Sequence, residues 1–219
     1  MNFHFTLRNS LVLWLITIPC CLIAQEHKFI GGILFNLNGI EFQGNTDKFW
    51  NTSSETIEIS GTLGISAGLF VKREFSKNLY STLEMRYSNK GSIYEFISQF
   101  GTRSFETIYL NYIELPVLAG YKVRLNKKIF SFEGGLAFGK MISSTLHANH
   151  LTSRLGTPHA GEFQTIDISW IGSLKFPIIR KWKDHVLFGL RVSRSIRPIQ
   201  RVYKLYNFNY GVELNYLFN

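Results

Sequence analysis

Hydrophobic and polar residues alternate with a period of two along most of this chain, and residues 110–123, LNYIELPVLAGYKV, state the rule most plainly. Ile113, Leu115, Val117, Ala119, Tyr121 and Val123 fall on one face of an extended strand, and Tyr112, Glu114, Pro116, Gly120 and Lys122 on the other. A half-buried sheet in water has this pattern. So has a strand whose apolar face meets lipid and whose polar face meets a barrel lumen. Pro116 has no N–H to give to a ladder, so a local bulge or break is predicted there, and an unbroken ladder on both sides would count against the assignment.

Seven further segments follow the same rule. Strands are predicted over residues 29–40, 61–72, 79–88, 129–141, 165–178 and 185–197, with a last one in which Phe208, Tyr210, Val212, Leu214, Tyr216 and Phe218 oppose Asn207, Asn209, Gly211, Glu213 and Asn215. The total is eight strands. The first, third and fifth connections (41–60, 89–107 and 142–164) are long, whereas 73–77, 125–128 and 180–184 are tight; the seventh, 198–203, breaks the trend by being short. Outer-membrane barrels are built this way, with long external loops, short periplasmic turns and an even strand number. No stretch of the mature chain is long and apolar enough for a transmembrane helix, so any membrane span must be a β-barrel.

The polar faces carry a second regularity. Glu84, Glu114, Glu133, Asp167 and Glu213 are matched by Lys72, Arg86, Lys122, Lys175 and Arg191, five acids against five bases. Eight strands close around a lumen just wide enough for side chains to fill, so charges there must pair or bear a desolvation penalty of several kcal/mol each. A plug of paired charges is therefore expected. A soluble barrel of lipocalin type, with the apolar face inward, explains the alternation but not the equal interior charges. It also leaves outward aromatics at the strand ends unexplained: Tyr87 and Tyr109 at one rim, and Tyr121, Tyr216 and Phe218 at the other.

The N-terminus changes the compartment. Arg8, the apolar run 11–18 and CLIAQ read as a secretory signal cleaved after Ala24, leaving residues 25–219 as one barrel domain. Cys20 and Cys21 fall in that signal, so the mature chain has no cysteine for disulfides, thiolate catalysis or metal binding. Losing Arg8 lowers the formal charge from +9 to +8, a balance suited to anionic partners such as lipopolysaccharide phosphates. Export and the absence of a basic, aromatic-interleaved block argue against nucleic acid.

Few residues suggest chemistry. His147 and His150, spaced His-Ala-Asn-His, could place two imidazoles on one cation if the loop turned helically, with His159 or Glu162 as a third ligand, although a solvated polar loop explains them as well. Ser143, Ser144, His147, Ser153 and Glu162 have the residue types of a lipid A-modifying triad, but no spacing selects one. No catalytic residue and no cofactor are expected. The aromatics Tyr94, Phe96, Phe100 and Phe105 would either make an external contact or pack over the barrel mouth.

The segment YIELPVLAGYKV (112–123), following a strand that ends in RYSNKG and a variable loop, resembles the YLEIPLLLKY-type signature of PorT-like outer-membrane β-barrel proteins of Bacteroidetes. The C-terminus YGVELNYLFN is similar to theirs as well, although it ends in Asn219 where an aromatic residue is usual. The resemblance implies an eight-stranded antiparallel transmembrane barrel in the outer membrane. For the namesake it also implies an association with type IX secretion. The expected role is structural, scaffold or binding, with membrane lipid, lipopolysaccharide and secretion or envelope proteins reached through the external loops as partners, and the chain as a monomer. A narrow pore or secretion-associated subunit is the alternative.

Overall fold

The computed structural model describes residues 29–44, 55–98, 100–101, 103–125, 128–148, 163–177, 185–201 and 204–218; the expected signal, 1–24, lies outside them. Its strands are β1 (Phe29–Gln43), β2 (Glu55–Ser60), β3 (Thr62–Glu74), β4 (Leu79–Ser98), β5 (Arg103–Leu125), β6 (Lys128–Ala148), β7 (Ile166–Pro177), β8 (Val186–Ser195) and β9 (Tyr206–Leu217). All described pairings are antiparallel, and neighbours run β1, β3, β4, β5, β6, β7, β8, β9 and back to β1. Eight strands therefore close a ring, and no wall strand is left with an open edge.

Burial along the wall is inverted relative to a soluble protein. On β5 Leu115 and Val117 are 47% and 51% exposed, while Glu114 between its strand neighbours is 0% exposed. The same holds around the ring, where Leu69, Met85, Phe138 and Leu214 face out and Lys72, Arg86, Lys175 and Glu213 face in. Such a surface is stable only against hydrocarbon. From Ile113 to Val123 the strand rises about 33 Å at ~3.3 Å per residue, which at a tilt of ~40° gives about 25 Å of apolar height, the thickness of an outer-membrane band.

The ninth strand and the long hairpins correct the expected loops. β4, β5 and β6 have 20, 23 and 21 residues, about twice the 9–11 that cross a bilayer. Most of 89–107 and the start of 142–164 are thus strand, and β2, within the expected loop 41–60, pairs with the far end of β4 from Glu55↔Ser98 to Ser60↔Ile93. The period of two in burial continues beyond the lipid, but apolar residues now fall on the inward face as well. Tyr94, Phe96, Ile108 and Leu110 face in and are buried, while Asn89, Thr107 and His147 face out. Outside the bilayer the outer solvent is water, so the wall rule no longer holds there.

Irregularities mark that transition. Ile142 is an extra residue between Tyr112↔Met141 and Asn111↔Ser143, a β-bulge. The β3–β4 ladder ends at Ser66↔Ser88 and β2 resumes it one residue out of step at Ser60↔Ile93. Gly91 on β4 has φ 152°, and a Cβ there would collide with the Ile108 carbonyl, so only glycine fits. At Pro116 the β6 ladder is continuous, but the β4 ladder passes from Leu83↔Val117 to Arg86↔Glu114 with the intervening pairs missing. The predicted break falls on the β4 side.

Candidate functional site

Alternate residues of the wall strands point into a lumen too narrow for free solvent, so the inward charges lie within reach of one another. They form one chain of alternating sign: Asp167, Lys90, Glu114, Arg86, Glu84, Arg191, Glu213, Lys175, Glu133. Lys90 Nζ is 2.7 Å from Asp167 Oδ2 and 2.6 Å from Glu114 Oε1, and Arg86 Nε donates to Glu114 Oε2 at 2.7 Å. Arg191 bridges Glu84 (Nη2–Oε1, 2.7 Å) and Glu213 (Nη1–Oε2, 2.6 Å). Lys175 Nζ bridges Glu213 and Glu133, each at 2.8 Å. The one long link is Arg86 Nη1 to Glu84 Oε2, 3.9 Å, between residues two apart on the same strand.

The geometry blocks the lumen crosswise. β4 and β8 are diametrically opposite in the ring, four strands apart either way, so the Glu84–Arg191 pair spans the barrel's diameter. Lys90 on β4 reaches Asp167 on β7, three strands away. Neutral donors complete the ends: Asn207 Nδ2 donates to Asp167 at 3.0 Å, Tyr80 Oη and Ser173 Oγ donate to Glu133 at 3.0 and 3.1 Å, and Asn215 Nδ2 donates to Glu213 at 2.6 Å. In a site this dry, such charge-assisted bonds offset the cost of desolvation.

Apolar layers enclose the chain. At the long-connection end Phe42, Tyr94, Phe96, Ile108, Leu110, Tyr112, Phe163, Ile199 and Leu205 pack into one cluster, and at the tight-turn end Leu34, Phe70 and Leu217 do so with Ile30 and Leu187. The segment between β8 and β9 joins the upper layer through Ile199 N donating to Leu205 O (2.7 Å) and Gln164 N donating to Ile199 O (2.6 Å). Beside the charges a polar cavity is lined by Asn36, Asn38, Ser66, Arg86, Ser88, Arg191, Ser193 and Asn209. It has room for about one water molecule.

Eight of the ten predicted network residues belong to this chain: Glu84, Arg86, Glu114, Glu133, Asp167, Lys175, Arg191 and Glu213. Lys72 is attached through Tyr80, its ammonium 3.9 Å from the ring centroid while the hydroxyl donates to Glu133. Lys122 makes no ion pair with the chain; at the tight-turn mouth it is half-buried, paired with Glu74 at 2.5 Å and 5.7 Å from the same Tyr80 ring. Lys90, missed because it fell in an expected loop, takes the position assigned to Lys122; its signal was its phase, in step with Glu84, Arg86 and Ser88. Of the aromatic group, Tyr94 and Phe96 pack over the mouth, whereas Phe100 and Phe105 are exposed.

The metal and triad candidates are not brought together among the described residues. His147 faces out with its ring 6.0 Å from that of Tyr109, and Ser143 Oγ accepts from Asn111 Nδ2 at 2.8 Å. His150, Ser153, His159 and Glu162 lie outside the described residues.

Residues 24–215 match the family described as outer membrane protein beta-barrel domain. The chain belongs to this family. That places it in the outer membrane, where barrels turn their tight connections to the periplasm and their long ones outward. No curated protein matches the chain. Among solved structures it is similar to Neisserial surface protein A (8% identity, TM-score 0.46, covering 89% of this chain and 100% of that one). It is also similar to the outer membrane protein OprG of Pseudomonas aeruginosa (11%, 0.43, 88% and 95%) and the attachment invasion locus protein Ail of Yersinia pestis (12%, 0.41, 87% and 99%).

Proposed function

We propose that this outer-membrane barrel is a sealed structural, scaffold or binding component that presents its hairpins outside the cell, and not a pore or an enzyme. The observation that carries this reading is the charge chain strung across the lumen between two apolar layers. An ion or solute in transit would have to break several buried pairs and pass through hydrocarbon twice. Function then rests on what the barrel displays, namely β2, the β4–β5 tip and the external start of the β5–β6 hairpin. Lipopolysaccharide and envelope proteins are the partners within reach of those elements. The test is solute efflux from vesicles loaded with a small sugar, where protein-containing and protein-free vesicles should leak at the same rate. Faster, protein-dependent leakage would overturn the reading.

A secretion-associated role is the second reading, and the PorT-like YIELPVLAGYKV segment favours it. Affinity purification from native membranes tests it, since type IX secretion components should co-purify if it holds. A lipid A-modifying activity would show as a changed lipid A mass spectrum when the protein is removed, and an unchanged spectrum is expected.

A further inference from the structure

The external rim is electrostatically one-sided. On the β4–β5 flank the outward residues just above the apolar band are neutral and bonded to one another: Tyr87 Oη and Asn89 Nδ2 both donate to Asn111 Oδ1 at 2.7 Å, while Lys140 on β6, opposite Ile166 of β7, is exposed and adds a base towards the β7–β9 side. On the β8–β9 flank the segment 194–204 carries Arg194, Arg197, Arg201 and Lys204 with no acid among its residues, and all four are exposed. None of the four has an ion pair among the described residues, and two acids on neighbouring strands have other partners. Asp167 is bound by Lys90, and Glu41, opposite Phe208 in the register, accepts from Gln43.

We propose that this basic rim binds the phosphate groups of a phosphorylated outer-leaflet glycolipid. The inference rests on the outer-membrane placement and not on whether the barrel is sealed.

The bases are held in place. Ile199, Gln200 and Leu205 are buried and bonded into the upper layer, and Arg197, Arg201 and Lys204 beside them are exposed. The Arg194 guanidinium lies over the Tyr206 ring at 5.4 Å, and Lys204 sits at φ 52°, a conformation a lysine adopts only where its surroundings impose it. The planar guanidinium favours bidentate contacts to phosphate.

The level of the patch selects a lipid over a soluble partner. Exposed Ile166, Trp170, Ile196 and Tyr210 adjoin it on the same flank. Ile196 is tied to β7 through its N–H to the Ile168 carbonyl at 2.7 Å. An amphiphile in the outer leaflet places acyl chains against these side chains and its headgroup phosphates beside the arginines, with nothing to insert. A protein would have to enter the bilayer to touch both.

The test uses the full-length mature protein folded in a neutral detergent, with diphosphoryl lipid A, the same lipid with its phosphates removed, and inorganic phosphate as probes. Native mass spectrometry reads the bound lipid and circular dichroism verifies the fold. The variants are R194Q/R197Q/R201Q/K204Q, a milder R197Q/R201Q in case the first fails to fold, and K77Q/R124Q near the opposite mouth as a control. We expect the diphosphoryl lipid to bind at least about tenfold more tightly than the dephosphorylated one, given the attraction of each base to anionic headgroups. The basic-rim variants should lose that preference in proportion to the charges removed, while the control keeps it and millimolar inorganic phosphate does not compete. Equal affinity for the two lipids, unchanged binding by folded rim variants or equal loss in the control would overturn the proposal. Competition by millimolar phosphate would also overturn it, in favour of a soluble anion.

Discussion

Replacing Lys90 with methionine should be among the most damaging single changes in the barrel. Its ammonium holds Glu114 at 2.6 Å and Asp167 at 2.7 Å in a site almost without solvent. At an effective dielectric of about 20 each contact is worth about 6 kcal/mol of Coulomb energy, set against several kcal/mol to desolvate the ammonium. Methionine removes the attraction and leaves the two carboxylates buried. Glu114 keeps Arg86 at 2.7 Å, whereas Asp167 keeps the neutral Asn207 amide at 3.0 Å. The expected loss is about 3–5 kcal/mol, the usual cost of removing one member of a buried pair. K90M/D167N should recover most of it, because the orphaned charge has gone as well. Urea unfolding in phosphatidylcholine vesicles, followed by the fluorescence of lipid-facing Trp170 and the other tryptophans, measures both. A K90M cost below about 1 kcal/mol, or a double variant no better than the single, would refute the reasoning.

The other predictions separate the elements of the account. Val117→Arg, at mid-height on the lipid face, should cost about 2–4 kcal/mol in the same vesicle assay, whereas on a water-facing surface it would fall within about 0.5 kcal/mol. Lys175→Met should cost about 3–5 kcal/mol, but Lys122→Met at the half-exposed mouth less than about 1 kcal/mol; similar values would mean that the two lysines share one environment. Arg191→Leu and Glu84→Gln should be non-additive by at least about 1 kcal/mol in a double-mutant cycle, since each leaves the other's partner unpaired across the lumen. Gly120→Ala would drive a Cβ into the Tyr80 ring and should destabilise by about 1–3 kcal/mol in urea titrations.

Period-two reasoning reached the wall because the apolar band has a single physical rule, lipid outside and side-chain filling inside. It placed eight strands, the antiparallel ring and most of the interior charges, since Glu84, Glu114 and Glu213 all fall in phase on polar faces. It stopped where the solvent changes. From Asn89 onward both faces are mixed, with Tyr94 and Phe96 inward beside Lys90 and Ser92, and Asn89 and Glu95 outward beside Ile93 and Ile97, so a strand continuing to Ser98 read as a loop. Lys90 was lost with it, although it sits only two residues beyond Ser88. The exchange of Lys90 for Lys122 has the same origin: alternation gives the face a residue occupies but not its height in the barrel, and only height separates the dry centre from the wet mouth. The upper apolar layer was out of reach for a further reason. Phe42, Phe163, Ile199 and Leu205 come from segments far apart in sequence that meet only once the ring has closed.

The central claim is that the charge chain and its apolar layers seal the lumen, and single-channel recording in a planar bilayer tests it most directly. With the folded mature protein inserted in symmetric molar salt, the account predicts a current no different from that of the protein-free membrane. Stepwise openings of one reproducible conductance, present with this protein and absent from a mock preparation, would contradict it.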